Sequence, residues 1–223
     1  MERNQLQTQS FVTEREWTVD GIPVLTATVT LPQPVEAADA AARRIRRFYR
    51  LQGRCYLRYC ERFLLPQAAE AYRAALAVSA PLPCFRAELN YRITYNDGRL
   101  WSLYTQSRES APSGTLLARR GDTWDLRSGY PAPLSSFFPP RSHWKQQLLN
   151  HAAQEIERQE RAGIARYHDG WRHLLRRRFD PRNFYLTEDG LAFFFPMHAI
   201  APPAESIPTF LLPYNGGAPV PRT

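Results

Sequence analysis

The sequence predicts an α+β fold, an antiparallel sheet made of a hairpin, a meander and a C-terminal hairpin, with helices packed mainly on one face. Strand-like runs with alternating apolar residues are joined by turns that are too short for parallel crossovers. Other segments repeat apolar residues at steps of three and four, the period of an amphipathic helix. The chain has 223 residues, of which 43% are hydrophobic. It can therefore bury a core without disulfide or metal staples.

The N-terminal elements are a hairpin and a long helix. Residues 10–31 alternate on either side of Asp20-Gly21, a dipeptide that favours tight hairpin turns. From about residue 35 to residue 80 the period becomes helical, and Pro66 is expected to kink or restart the helix. The apolar stripe predicted for this helix consists of Ile45, Phe48, Tyr49, Gln52, Cys55, Tyr59 and Phe63.

The middle of the chain predicts a three-stranded meander. Residues 84–95, 99–110 and 115–126 form the strands, and the Asn-Asp-Gly sequence at 96–98 makes the first turn. Helical spacing returns over residues 142–161, and Gly163 interrupts it. A second apolar stripe is then predicted to run toward Phe179 through Ile164, Tyr167, Trp171, Leu174 and Leu175.

The end of the chain predicts a further hairpin and a last strand. FYLT and LAFFF flank the turn Glu-Asp-Gly, and PTFLLPY follows as a strand. Three consecutive phenylalanines stand in the second arm. Alternation places Phe193 and Phe195 on one side of the sheet and Phe194 on the other. Such a strand is typical of a central position that is covered on both faces.

These elements predict a lobe of hairpin and long helix over residues 1–83 and a second domain over residues 84–214. The tail, residues 215–223, is expected to be disordered. No run is apolar enough for a membrane span, and the N-terminus lacks the apolar region of a secretory signal.

Three segments carry a resemblance to a known family. They are FYLTEDGLAFFF, IAPPAESIPTFLLPY and TWDLRSGYPAPLSSFF. Residues 85–214 resemble the C-terminal domain shared by RsiV-type anti-sigma factors, which sense lysozyme, and PdaC-type peptidoglycan deacetylases. The family often has a Gly-Gly-Ala-His loop, where this chain reads SRESAPSGT without histidine. The chain also shows no anti-sigma segment, membrane helix or deacetylase domain, so the expectation is the sensor-like module alone.

No motif for catalysis, metal binding or phosphate binding is present, so the sequence predicts neither an enzyme nor a cofactor. His143 and His151 would lie about 12 Å apart on a helix, too far to share a metal ion. The acid pairs Asp122/Asp125 and Glu155/Glu157 should each diverge, although acid–base chemistry needs convergent groups. The three cysteines, Cys55, Cys60 and Cys84, are expected to be buried or half-buried thiols in a reducing compartment.

Arginine is the informative residue type, because the formal net charge is +8 and Lys145 is the only lysine. No acidic residue lies between Asp39 and Glu61. The stripe along the first helix is Arg43, Arg47, Arg50, Arg54 and Arg58, with Arg44 and Arg46 beside it. A second cluster near the end of the last helix is Arg172, Arg176, Arg177, Arg178 and Arg182. The residues that we expect to bind an anion or a partner are Arg43, Arg47, Arg50, Arg54, Arg58, Arg176 and Arg177.

A codon bias toward arginine, or pairing of the stripe by acids on neighbouring elements, would leave these residues without function. The functional interpretation is a non-catalytic binding or sensing module that recognises a protein or an anionic cell-envelope polymer. The alternative is nucleic-acid binding through the same stripe. The resemblance implies lysozyme as a partner. Lysozymes are basic, however, and the net positive charge of this chain would repel them. The sequence predicts a cytoplasmic location, while the resemblance implies an extracytoplasmic one.

Overall fold

The computed structural model describes residues 5–35 and 40–214, and it confirms the α+β fold class. The described residues form a six-stranded sheet, a separate three-stranded sheet and four α-helices. No helix among them is long and apolar enough to cross a membrane. The prediction of a disordered tail concerns residues 215–223, which lie outside the described ranges.

The N-terminal hairpin is confirmed. Strand β1, Thr8–Val19, pairs antiparallel with β2, Ile22–Pro34. The turn residues Asp20 and Gly21 both have positive φ, 51° and 77°. Because a tight hairpin needs this left-handed backbone, the Asp-Gly pair accounts for the turn.

The long helical segment consists of two α-helices joined by a π-helical turn. Helix α1, Ala40–Tyr59, leads into a π-helical turn, Cys60–Leu64, and then into α2, Leu65–Ala77. Pro66 lies in the first turn of α2, where a missing amide hydrogen is tolerated. The helix therefore restarts at Pro66, as the sequence predicted.

The predicted apolar stripe is wrong for two of its residues. Cys55 is exposed, and so is Phe63, at 58% of its surface. The buried face instead includes Ile45, Tyr49 and Gly53. A side chain at Gly53 would lie only 3.2 Å from the methyl group of a leucine on β2, so the smallest residue allows close contact with the sheet. Cys55 is two residues further on and therefore points away, and the π turn shifts the phase before Phe63.

The larger sheet is mixed, whereas the prediction was antiparallel throughout. Its order is β1-β2-β3-β4-β5-β6, where β3 is Phe85–Asn96, β4 Leu100–Ala111, β5 Gly114–Asp125 and β6 Tyr130–Pro131. Strands β2 and β3 pair in parallel, from Leu25 opposite Phe85 to Val29 opposite Leu89. The segment between these two strands contains α1 and α2 and is long enough for a parallel crossover.

The C-terminal elements comprise two helices and the smaller sheet. Helix α3 is Trp144–Arg161 and α4 is Trp171–Arg178. Strands β7, Phe184–Leu186, β8, Gly190–Phe194, and β9, Thr209–Pro213, form a sheet of their own with β8 in the centre. The predicted hairpin and last strand are therefore confirmed.

The apolar stripe predicted after Gly163 is wrong in its first turns. Ile164 is 62% exposed, and helix α4 begins only at Trp171. Gly163 and Gly170 both have positive φ, which interrupts a right-handed helix. Between them the backbone N–H of His168 donates to the carbonyl of Ile200, which ties this segment to another loop.

The chain forms two compact units, each with its own core. The first, here the N-terminal unit, comprises Leu6–Tyr91 and Thr105–Leu117. The second, the C-terminal unit, comprises Arg92–Tyr104 and the described chain from Ala118 onward. Strands β3, β4 and β5 contribute residues to both. The N-terminal core includes Trp17, Val24, Leu25, Ala68, Tyr72 and Phe85, and the C-terminal core includes Leu148, Ile156, Trp171, Phe184, Phe193, Phe195 and Phe210.

The three consecutive phenylalanines occupy the central strand of the small sheet and its end. Phe193 and Phe195 both contact Phe210, with ring centroids 5.6 and 6.0 Å apart. Phe194 contacts Tyr185 at 6.2 Å. All three phenylalanines are buried, which confirms the prediction of a strand covered on both faces.

Candidate anion-binding site

Helix α1 has a buried face on β2 and an arginine face opposite to it. Arginines 43, 47, 50, 54 and 58 step by three and four residues, so they fall within one third of the helix circumference. All five side chains are exposed. From the first to the last of them the helix rises about 22 Å. The predicted stripe is therefore present as one continuous surface, which we call the α1 arginine face.

The α1 arginine face borders a shallow groove of about 640 Å³. Four of the five predicted residues line it, and Arg58 does not. Leu51, which is 58% exposed, and Arg46 complete the lining. Arg50 donates to the side-chain oxygen of Gln33 at 3.5 Å, a long contact, and no described acid pairs with its charge. The full lining is Arg43, Arg46, Arg47, Arg50, Leu51 and Arg54.

None of the five arginines of the α1 arginine face forms an ion pair with a residue in the described ranges, 5–35 and 40–214. The nearest acids in sequence, Glu36 and Asp39, lie outside those ranges. Within the described part of the chain, neighbouring acids therefore do not neutralise this face. Five cations on one face of a helix repel one another, and an anionic ligand would lower that repulsion.

Within the described part of the chain, the second arginine cluster divides into residues that form an ion pair and residues that form none. Arg172 lies 2.7 Å from Glu157, and Arg182 lies 2.7 Å from Asp180. Arg176 and Arg177 on α4 are exposed. Arg176 lines a groove of about 460 Å³ together with Ser142, His143, Trp144, Lys145, Gln146 and Leu149. This smaller basic surface belongs to the C-terminal unit, whereas the α1 arginine face belongs to the N-terminal unit.

The other candidate residues have structural partners. The imidazole Nε2 of His151 lies 2.8 Å from the carbonyl oxygen of Leu211 on β9. No group of three potential metal ligands occurs among the residues that the structure describes. Asp122 is buried and bonds Arg120, whereas Asp125 accepts from the backbone N–H of Arg127.

The acids of α3 diverge in the same way. Glu155 bonds Arg158 on its own helix, and Glu157 bonds Arg172 on α4. The hydrogen bond from Arg158 lowers the pKa of Glu155 to about 2. These carboxylates therefore serve ion pairs and do not converge on a common point.

A cluster of protic side chains beside the π turn was missed by the sequence-based prediction. The Tyr59 hydroxyl donates to Glu109 at 2.9 Å, and the Tyr56 hydroxyl donates to the carbonyl of Glu88 at 3.2 Å. Burial raises the pKa of Glu109 and raises that of Cys60 to about 12. The Cys60 thiol thus stays protonated at neutral pH and is no nucleophile. Contacts of α1 with β3 and β4 bring these residues together, so sequence spacing carried no signal for the cluster.

The cysteines differ from their predicted exposure. All three are free thiols, but Cys55 and Cys84 are exposed and only Cys60 is buried. The prediction of buried or half-buried thiols is therefore wrong for two of them. Cys55 belongs to the outward side of α1, and Cys84 immediately precedes β3.

Comparisons with known proteins find a likeness to a family of unknown function. Residues 135–215 match the family model described as "Protein of unknown function (DUF3298)". A crystal structure of a DUF3298 family member from Bacteroides fragilis superposes with a TM-score of 0.67 at 14% identity, covering 96% of this chain and 92% of that one. A DUF3298 family protein from Pseudomonas aeruginosa PAO1 superposes with a TM-score of 0.57 at 13% identity, covering 98% and 96%. No curated protein matches the chain. At such identities the likeness is one of fold.

Proposed function

We propose that the chain is a non-catalytic binding module of the RsiV/PdaC-like kind, and that the α1 arginine face recognises an acidic protein or an anionic cell-envelope polymer. The observation that supports this proposal is the set of five exposed arginines without an ion pair in the described ranges. The match of residues 135–215 to DUF3298 supports the family assignment. Lysozyme, the partner implied by the resemblance, is disfavoured because two basic proteins repel each other.

The spacing of the arginines favours an extended ligand. Residues four apart on a helix rise by about 6 Å, so successive guanidinium groups can meet successive charges along a chain. Guanidinium groups bind carboxylate and phosphate through paired hydrogen bonds. Leu51 adds one apolar contact within the same groove. A linear polyanion or an acidic protein segment along α1 fits this surface.

The test compares two triple variants with the same change in net charge. Arg47, Arg50 and Arg54 are replaced by glutamate in one variant, and Arg62, Arg73 and Arg86, which are exposed on other elements of the N-terminal unit, are replaced in the control. Binding to immobilised poly(glycerol phosphate) and to polyglutamate is measured at low and moderate salt. We expect the first variant to lose binding and the control to retain most of it, because contact with the face and not net charge decides affinity.

Equal loss in both variants would show that only net charge matters and would contradict the proposal. Much tighter binding of single-stranded RNA or DNA than of either polymer, again dependent on Arg47, Arg50 and Arg54, would replace it with nucleic-acid binding. Pull-down from a lysate of the native cell, with both variants as baits, would then identify the partner. We expect wild type and the control variant to retain a single protein at both salts. The variant at Arg47, Arg50 and Arg54 should not retain it.

A further inference from the structure

The core of the N-terminal unit ends in exposed apolar side chains at the end of α2. Tyr72 of α2 is buried in this core, but Leu76, one helical turn further along the same side, is 50% exposed. Helix α2 ends at Ala77, and the next residue, Val78, is 73% exposed. The core-facing side of α2 therefore continues one turn beyond the residues that it buries.

The β1–β2 hairpin contributes another apolar residue at this end. Val19, the last residue of β1, packs against the core that contains Trp17. Ile22 is the register partner of Val19 and begins β2, and it is 41% exposed. Since α2 packs against β2, Ile22 and the end of α2 border the same core.

The loop from α2 to β3 lies at the same end of the sheet. Strands β2 and β3 are parallel, with Leu25 opposite Phe85, so the residues just before the two strands lie side by side. Leu82, three residues before Phe85, is 44% exposed, and prolines on both sides of it restrict its backbone. We call the four exposed aliphatic residues the apolar tip: Ile22, Leu76, Val78 and Leu82.

Backbone hydrogen bonds fix the turn that presents Val78. The N–H of Ala80 donates to the carbonyl of Ala75 at 2.9 Å, and the N–H of Ser79 donates to that of Leu76 at 3.2 Å. Ser79 has a positive φ of 53°. This arrangement is the Schellman motif that ends many helices, here with serine at the position that favours glycine. The apolar side chain at Val78 is therefore exposed from an ordered turn.

The charges beside the apolar tip are mainly positive. Between Glu70 and Glu88 the sequence contains two charged residues, Arg73 and Arg86, and both are exposed. Asp20, in the adjoining hairpin turn, carries the opposite charge. Exposed apolar side chains bordered by arginines are typical of surfaces that enter the headgroup region of an anionic bilayer.

A second copy of this chain fits the apolar tip less well than a bilayer does. In a symmetric dimer one patch meets the same patch of the other copy. Arg73 and Arg86 would then approach their own counterparts, and like charges across an interface oppose association. Lipid phosphates, in contrast, accept hydrogen bonds from both guanidinium groups.

We propose that the apolar tip inserts into the interface of an anionic lipid bilayer, while Arg73 and Arg86 bind lipid phosphates beside it. Val78, the most exposed of the four aliphatic residues, enters the boundary of the acyl chains together with Leu82. The attachment is peripheral, because the tip supplies side chains and no spanning segment. It is independent of the function proposed for the α1 arginine face, so each can be tested without the other.

The first experiment measures sedimentation of the full chain with vesicles. One set contains equal parts of phosphatidylglycerol and phosphatidylethanolamine, and the other contains phosphatidylcholine alone. We expect binding to the anionic set, weakened about tenfold by Val78→Asp or Leu82→Asp. Ile164→Asp, at an exposed aliphatic residue of the loop before α4, is the matched control and should bind like wild type.

A gain of binding guards against variants that fail to fold. Tryptophan favours the interface between water and acyl chains, so Val78→Trp should strengthen binding to anionic vesicles several-fold. Misfolding of this variant does not predict such a gain at the same position where aspartate causes a loss.

The second experiment tests insertion through the exposed thiols. Cys84 lies at the end of the loop and Cys55 lies on α1, whereas Cys60 is buried. An environment-sensitive fluorophore on Cys84, in a Cys55→Ser background, should shift its emission to the blue when anionic vesicles are added. The same label on Cys55, in a Cys84→Ser background, should not shift.

Three outcomes would overturn the proposal. One is equal binding of wild type, Val78→Asp and Leu82→Asp, with binding lost instead when Arg47, Arg50 and Arg54 are replaced by glutamate, which would assign the lipid to the α1 arginine face. Another is self-association of wild type without lipid that Val78→Asp abolishes, which would assign the tip to a second copy. The third is an unshifted emission from Cys84 on bound vesicles.

Discussion

Helix α1 and helix α3 are similar in length, 20 and 18 residues, and each buries one apolar face, but their outer faces differ in charge pattern. Helix α1 contains seven arginines and no acid. Helix α3 alternates acids with basic residues, and its Glu155 and Glu157 bond Arg158 and Arg172. The charges of α3 are therefore used within the fold, whereas the α1 arginine face forms no ion pair within residues 5–35 and 40–214.

The comparison also shows which part of each helix supports the fold. Ile45 of α1 and Ile156 of α3 are both fully buried. Neither charged face contributes to these cores. Stability and surface charge are thus carried by different residues of the same helix, which allows each to be changed separately.

The largest expected effect comes from the buried faces. We expect Ile45→Ala and Ile156→Ala each to lower the free energy of unfolding by roughly 2–5 kcal/mol, because each leaves a cavity in a core. The measurement is urea denaturation followed by circular dichroism. Leu51→Ala, on the exposed side of α1, is the control and should change stability by less than about 0.5 kcal/mol. If Ile45→Ala were equally mild, α1 would not be held by its apolar face.

Neutralising the arginines should affect the two helices in opposite directions. Like charges three or four residues apart destabilise a helix by roughly 0.2–0.5 kcal/mol per pair. Replacing Arg47, Arg50 and Arg54 by glutamine should therefore raise the free energy of unfolding at low salt, and added salt should remove the gain. Arg158→Gln should lower stability, because it breaks the bond to Glu155. A loss of stability in the α1 variant would reveal acids that pair with this face.

Two carboxyl groups should give opposite dependences of stability on pH. The pKa of Glu155 falls from 4.5 to about 2 in the folded chain, mainly through the hydrogen bond from Arg158. Its contribution is therefore present above pH 4.5 and is lost as the pH falls toward 2. The pKa of Glu109 is raised above 4.5, mainly by burial, so its ionisation lowers stability as the pH rises through that folded pKa.

The corresponding variants should therefore diverge at neutral pH. Glu155→Gln should be less stable than wild type, and Glu109→Gln more stable, with both differences disappearing in acid. Denaturation at a series of pH values measures this. A Glu109→Gln variant that is destabilised at neutral pH would show that the carboxylate's bond with Tyr59 outweighs its burial.

The smallest expected effect is a difference in reactivity between two thiols. Cys55 lies on the outward side of α1, and Cys60 lies in the adjoining π turn. Cys55 is exposed and Cys60 is buried, with its pKa raised to about 12 by burial. In a Cys84→Ser background, one thiol should react with a disulfide reagent in the native protein and a second only after denaturation. Cys55→Ser should remove the fast reaction. Fast reaction of both thiols would mean that the π turn opens in the native state.

Local patterns predicted the strands, the hairpins and most of the helices, because alternation and the helical period are properties of neighbouring residues. The Asp20-Gly21 turn, the restart at Pro66 and the burial of Phe193–Phe195 all follow from such patterns. The errors occur where a distant element decides. Gly53 lies on the face of α1 that packs against β2, and the non-helical segment before α4 bonds to Ile200 of a distant loop.

The sequence by itself determined the fold class and the arginine spacing on α1, since both depend on residues only a few positions apart. Only the tertiary structure decided that β2 and β3 run in parallel and that Glu109 meets Tyr59. Those features depend on which strands become neighbours. Local propensity does not encode that choice. The pairing is selected by the burial of apolar faces, and these faces come from distant parts of the chain.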